Sequence, residues 1–193
     1  MVIRCAEARD IPGMIDLLQQ VGEVHHRIRP DLFRSGAQKY NEADLEELLK
    51  DPQRPIFIAD MDGAVAGYAF CILQITENNP VLCDRKVLYI DDLCVDEDHR
   101  RQGIAKKLYD RVLGFAREIG CDAVTLNVWY GNDAQVFYEK CGMKFQKIGM
   151  EVIYKPPLLG EVPRRGGGVV KAIPRTFSRL AKMFCPLAKR EPG

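Results

Sequence analysis

An apolar run, Val87-Leu88-Tyr89-Ile90-Asp91-Asp92-Leu93-Cys94-Val95, gives way after a polar turn, Arg100-Arg101-Gln102-Gly103, to a helix-like run from Ile104 to Ile119. A strand, a short turn with a glycine, then a helix N-terminus presents several free backbone N–H groups to a phosphate. The spacing is neither Gly-x-Gly-x-x-Gly nor Gly-x4-Gly-Lys-Ser/Thr, so the dinucleotide fingerprint and the Walker loop both fit poorly. Gly103 has no Cβ and lets the main chain approach a ligand closely, while Ala105 keeps the turn tight.

The rest of the chain supplies an α/β frame for this junction. Met1 to Ala6 reads as a short strand, and Asp10 as the start of a helix with Ile11, Met14, Ile15, Leu18 and Val21 at helical spacing. Residues 22–40 are polar and form no single clear element, and Glu42 to Lys50 reads as a second helix. Pro55–Met61 and Ala64–Ile75 are strand-like and meet at Asp62-Gly63, a strong hairpin signal. Gly120 closes the helix from Ile104 as a C′ residue. Ala123–Val128 is a further strand, Asp133–Cys141 a short helix capped by Asn132, and Lys144–Ile148 and Glu151–Tyr154 two last short strands. The expected order is β-α-α-β-β-β-α-β-α-β-β, an α/β fold with a mixed, twisted central sheet flanked by helices.

With 193 residues and 47% apolar content, the chain is long enough for one domain with a real core and a modest appendage. No apolar run approaches the ~18–20 residues needed to cross a bilayer, and Met1–Glu7 turns polar too soon for a secretory signal. Seven scattered cysteines, none in Cys-x-x-Cys, point to reduced thiols and a cytoplasmic protein rather than a disulfide framework or a zinc site. The net charge of +1 conceals an asymmetry: residues 156–193 carry eight Lys/Arg against two Asp/Glu, which leaves the first 155 residues at −5. An acidic body suits a cationic substrate better than nucleic acid. We expect a domain over 1–155 and a basic, Pro/Gly-rich tail over 156–193. Phe177, Leu180, Ala181, Phe184 and Leu187 in that tail fall at helical spacing, a pattern that suits weak contact with a membrane surface or a protein.

The turn at Arg100–Ala105 resembles the Arg/Gln-x-x-Gly-x-Gly/Ala loop of the GNAT superfamily of N-acetyltransferases, here of the bacterial single-domain kind. A second stretch, Asn132-Asp133-Ala134-Gln135-Val136-Phe137-Tyr138-Glu139-Lys140-Cys141-Gly142-Met143, is similar to that family's Asn-x-x-Ala-x-x-Phe-Tyr-x-x-x-Gly-Phe motif. The element order over about residues 2–154 is also that of the family. The resemblance implies an enzyme that moves an acetyl group from acetyl-CoA, as co-substrate and with no metal, to a primary amine on a small molecule or peptide. In that reading Arg100, Arg101, Gln102, Gly103, Ile104 and Ala105 cradle the pyrophosphate. Leu93, Cys94 and Val95 bind the pantetheine arm through main-chain groups, and an N–H near Val95 holds the thioester oxyanion. Tyr138 falls on the tyrosine that protonates the departing thiolate, a sound role for a phenol beside a thioester sulfur.

Asp91 and Asp92 are both candidates to receive the amine proton, and regular strand alternation allows only one of them to face the cleft. Gly131 occupies the usual Asn position, so Asn132 stands one residue closer to Tyr138, where it caps the helix and approaches CoA. His25 and His26 fall where the family builds one wall of the acceptor pocket; with one nearby Asp they lack a metal-binding spacing. The alternative function is a CoA-binding regulatory module with little catalysis, and a third reading makes the basic tail the working part of an adaptor. The acceptor amine and the oligomeric state, monomer or homodimer, carry no readable code.

Overall fold

The computed structural model describes residues 1–154; the basic tail over 156–193 lies outside the described residues. The elements are β1 (Val2–Cys5), α1 (Ile11–Ile28), α2 (Glu42–Leu48), β2 (Ile56–Met61), β3 (Ala64–Thr76), β4 (Arg85–Val95), α3 (Ile104–Glu118), β5 (Ala123–Leu126) and α4 (Ala134–Lys140). They form one five-stranded sheet in the order β1-β2-β3-β4-β5. The first four strands are antiparallel neighbours, and β5 joins β4 in parallel through the α3 crossover. The mixed, twisted α/β architecture is the one expected from the sequence.

Two apolar layers cover the sheet. On one face Ile104, Leu108, Val112 and Ala116 of α3 pack against Phe57, Ala59, Leu88 and Ile90. On the other, Met14, Leu17 and Leu18 of α1 and Leu45 of α2 pack against Ile58, Tyr68 and Phe70. The apolar residues of α1 and α3 recur at intervals of three and four, which is why each helix buries one stripe. The β2–β3 hairpin turns on Asp62 (φ 55°) and Gly63 (φ 91°), both left-handed, as a two-residue turn between twisted strands requires. Gly120, with φ 70°, ends α3 as the sequence indicates.

Gly67 decides how closely α3 can approach. A Cβ there would sit 2.8 Å from the Cys94 carbonyl and within 3.2–3.3 Å of Leu108 and Ile104. The nearest obstacle is backbone of the neighbouring strand β4 and cannot swing aside. Gly67→Ala should therefore cost about 1–3 kcal/mol of stability, the usual penalty of overpacking, measured by urea unfolding. An unchanged midpoint would show that α3 and β4 part freely.

Two expectations differ from the structure. The first helix continues through Gly22 to Ile28 and takes in His25 and His26, rather than ending near Val21. Its apolar stripe fades after Val21, but the helix is carried on by the packing of the following loop. The two last strands are absent among the described residues: 144–154 has no ladder, and Phe145, Ile148 and Met150 are 69%, 82% and 95% exposed. Runs of four or five residues with two or three apolar side chains form strands only where an edge pairs with them. That pairing is not made, and the Arg29 ion pair to Glu151 (2.6 Å) is what ties this segment to the end of α1.

Candidate active site

The sheet opens between its last two strands, β4 and β5. Pairing of β4 with β5 runs from Val87–Ala123 to Ile90–Leu126 and stops. Beyond it β4 continues from Asp91 to Val95, paired with β3 alone. The gap lies at the carboxyl ends of two parallel strands, the usual place for a ligand in an α/β sheet. Leu93, Cys94 and Val95 form its β4 wall, and their main-chain groups on the β5 side are left without a strand partner.

The turn that follows β4 leads back to this opening. Arg101 (φ 65°) and Gly103 (φ 78°) are both left-handed, which turns successive N–H groups toward one point. The first N–H of α3 to find a helical acceptor is that of Lys107, on the Gly103 carbonyl at 3.2 Å. Among the described residues, nothing accepts from the N–H groups of residues 101–106. Arg100 through Gly103 are exposed, and the space where a Gly103 side chain would stand is empty. A row of free N–H groups at the positive end of a helix, with room in front of it, fits a pyrophosphate. Arg100 folds back, its Nε donating to the Val95 carbonyl at 3.3 Å.

A β-bulge governs the acidic pair. Phe70 faces Asp92 and Cys71 faces Ile90, so Asp91 has no counterpart on β3. Such an extra residue reverses the alternation of the strand. Ile90 accordingly joins the core under α3, while Cys94 joins the core under α1. Asp91 accepts from Lys39 Nζ (2.7 Å) and the Tyr40 hydroxyl (3.2 Å), and Asp92 accepts from the Tyr68 hydroxyl (2.9 Å). Both carboxylates thus reach toward the α1–α2 side. The expectation that only one of them faces the cleft rests on unbroken alternation, which the bulge breaks.

Their environments differ. Burial pushes the Asp92 carboxyl up to about 6, against the opposing Tyr68 hydrogen bond and Lys39 charge. Burial, and then the charge of Asp92, push the Tyr138 phenol well above its ordinary range, so it keeps its proton. Tyr138 is half-buried on α4, with its ring 5.1 Å from Phe137 and 6.3 Å from Tyr109 of α3. Asn132 holds the start of that helix, its Oδ1 accepting from the Ala134 N–H at 2.9 Å.

Cys94 and Cys141 are poor nucleophiles. Burial raises Cys94 to about 12, its Sγ lying 3.7 Å from the Leu17 carbonyl, and burial also raises Cys141.

His25 and His26 stand apart from the acidic pair, with no hydrogen bond to Asp91, Asp92 or Tyr138 among the described residues. The His25 ring lies 5.0 Å from Phe33, and burial followed by the Lys39 charge lowers its pKa. His26 Nδ1–H donates to the Phe33 carbonyl at 2.7 Å. Lys39, Tyr40 and Tyr68 were not singled out in the sequence. Tyr68 meets Asp92 only through the β3–β4 register, and Lys39 and Tyr40 lie in a loop with no periodic signal.

Comparison with known proteins places the chain in a family. Residues 21–143 match the acetyltransferase (GNAT) family. A glucosamine 6-phosphate N-acetyltransferase from Arabidopsis thaliana is 28% identical over 96 residues, 43% of this chain and 63% of that relative's length. A point mutant of the BH1408 protein from Bacillus halodurans has the same fold with a TM-score of 0.76 and 32% identity, over 79% of this chain and 99% of that one. An aminoglycoside N-acetyltransferase, AAC(6')-Iy in complex with CoA, shares the fold at 19% identity with a TM-score of 0.57, over 80% of this chain and 98% of its own. With its matched segment spanning more than half its length, and with the open sheet and anion cradle inside that segment, the chain belongs to the GNAT family of acetyltransferases.

Proposed function

We propose that this chain transfers the acetyl group of acetyl-CoA to a primary amine by direct attack, with both reactants bound together. One observation carries the reading: the free N–H groups of residues 101–106 and the unpaired edge of Asp91–Val95 lie at the same end of the sheet, with Tyr138 and Asp92 coupled electrostatically beside them. The first feature suits a pyrophosphate, the second a pantetheine amide, and the third a proton transfer. Holding two reactants in one cleft supplies much of the rate. The Arabidopsis relative, an N-acetyltransferase, points to an amine acceptor as well.

The residues divide the work. The amides of Arg101 to Ala105 bind the pyrophosphate, with Arg101 adding charge. Main-chain groups of Leu93 to Val95 orient the pantetheine arm and leave an N–H for the carbonyl oxygen where negative charge develops. Asp92, ionised above about pH 6, receives the proton of the attacking amine directly or through water. Tyr138, held protonated, donates to the departing thiolate. Acetyl-CoA supplies the activated carbonyl and the thiolate leaving group.

Free-thiol release from acetyl-CoA across a panel of amines and peptides tests the reading. We expect turnover on at least one class of primary amine. Tight acetyl-CoA binding with no turnover on any amine would instead identify a CoA-binding module. Gly103→Val places a β-branched residue at φ 78°, which costs about 1–2 kcal/mol. The turn relieves that strain by shifting its N–H groups, so acetyl-CoA binding should weaken by about tenfold, as titration calorimetry would record. Unaltered affinity would mean that the left-handed turn is not part of the donor site.

A further inference from the structure

The Lys39 ammonium sits in a small cage. Its Nζ donates to Asp91 Oδ2 at 2.7 Å and lies 5.3 Å from the centre of the Tyr40 ring, whose hydroxyl donates to the same carboxylate oxygen at 3.2 Å. A carboxylate and an aromatic face at these distances form an ammonium-binding arrangement. The Tyr40 ring is held in place by stacking on Phe70 at 5.8 Å. Asp91 is fixed by the bulge, with its side chain 17% exposed. Lys39 comes from the same loop between α1 and α2 as Tyr40, its side chain is 45% exposed, and among the described residues only one partner accepts from its ammonium. Asp91 is the more buried partner of the pair and Lys39 the more exposed one.

We propose that Asp91 and Tyr40 form a binding subsite for a primary alkylammonium of the acceptor, and that Lys39 fills it as an internal stand-in until the acceptor displaces it. This rests on the acetyltransferase reading and narrows its acceptor to amines carrying a second cationic nitrogen. The step from one nitrogen to two follows from charge. Although burial alone lowers the Lys39 pKa, its hydrogen bond and ion pair with Asp91 raise it on balance, so the cage keeps an ammonium protonated. An amine must be neutral to attack a thioester. The nitrogen held at Asp91 is therefore not the nucleophile; a second amine of the same molecule attacks, next to Asp92. The loop approaches α1 at Gly22, where a Cβ would lie 2.8 Å from the Ala37 carbonyl, two residues before Lys39.

The test is calorimetric titration of the full chain with 1,4-diaminobutane and with n-butylamine, in wild type, Lys39→Met, Lys39→Arg and Asp91→Asn. Wild type should prefer the diamine. Lys39→Met should bind it about two- to fivefold tighter, the scale of one half-exposed ion pair, while Lys39→Arg stays near wild type because it restores a competing cation. Asp91→Asn should weaken diamine binding by about tenfold through loss of a charge-assisted hydrogen bond. The proposal is overturned if Lys39→Met leaves diamine affinity unchanged or lower, or if Asp91→Asn keeps the preference for the diamine. Acetyl-CoA affinity, titrated in parallel, separates the two levels. Donor binding with no diamine preference rejects the subsite alone, whereas failure of wild type to bind acetyl-CoA rejects the acetyltransferase reading beneath it.

Discussion

Replacing Tyr138 by Phe should lower kcat by about 100-fold or more, the range for loss of a positioned general acid, while leaving acetyl-CoA affinity within about twofold of wild type. The substitution keeps the ring that packs against Phe137 and Tyr109 and removes only the hydroxyl. Burial and the nearby Asp92 charge hold that hydroxyl protonated across the working pH range, so it is available as a donor whenever a thiolate departs. A leaving thiolate that receives no proton favours return to thioester, so the defect falls on the chemical step. The split between kcat and donor affinity distinguishes this role from packing. Steady-state kinetics with acetyl-CoA titration would check it, and a Tyr138→Phe enzyme of wild-type kcat would remove Tyr138 from the chemistry.

The second large effect belongs to Asp92. The groups facing it are the Tyr68 hydroxyl from β3, Lys39 from the α1–α2 loop, Asp91 beside it, and Tyr138 from α4. With its carboxyl at about 6, activity should rise with pH through that value and then level as the carboxylate forms. Asp92→Asn should flatten this limb and cut kcat by about 100-fold or more. Stability runs the other way. The folded state holds the Asp92 proton more tightly than an unfolded chain, whose aspartate titrates near 3.9, so the contribution of Asp92 falls as pH rises from about 4 to 6 and stays constant above. Asp92→Asn, which keeps an oxygen for Tyr68, should therefore gain on the order of 1–3 kcal/mol over wild type above pH 6. An enzyme that loses activity and gains stability marks a strained functional carboxylate. Loss of both would mark Asp92 as a structural residue.

Much of the frame is written in local pattern. The Asp62-Gly63 turn, the apolar stripes of α1 and α3, and the Gly120 stop depend on residues close in sequence, and all appear where the pattern places them. The cradle at residues 100–105 was legible for the same reason, since its geometry needs only a strand, a glycine and a helix start. The acidic pair was legible as a pair but not in its orientation, because the bulge at Asp91 depends on which β3 residue faces which β4 residue. Tyr68, Tyr40 and Lys39 escaped notice for that reason too: 24, 51 and 52 residues separate them from the carboxylates they meet. The histidines, adjacent in sequence, sit in the last turns of α1, where both meet Phe33.

Amide hydrogen exchange with and without saturating acetyl-CoA tests the central claim, that the free turn and the open strand together form the donor site. The amides of residues 101–106 have no acceptor among the described residues and should exchange quickly in the free protein. On acetyl-CoA addition they should slow markedly, together with those of Leu93 to Val95, while the β1–β2 pairing stays unchanged. Exchange at 93–95 and 101–106 that is indifferent to bound acetyl-CoA would contradict the account.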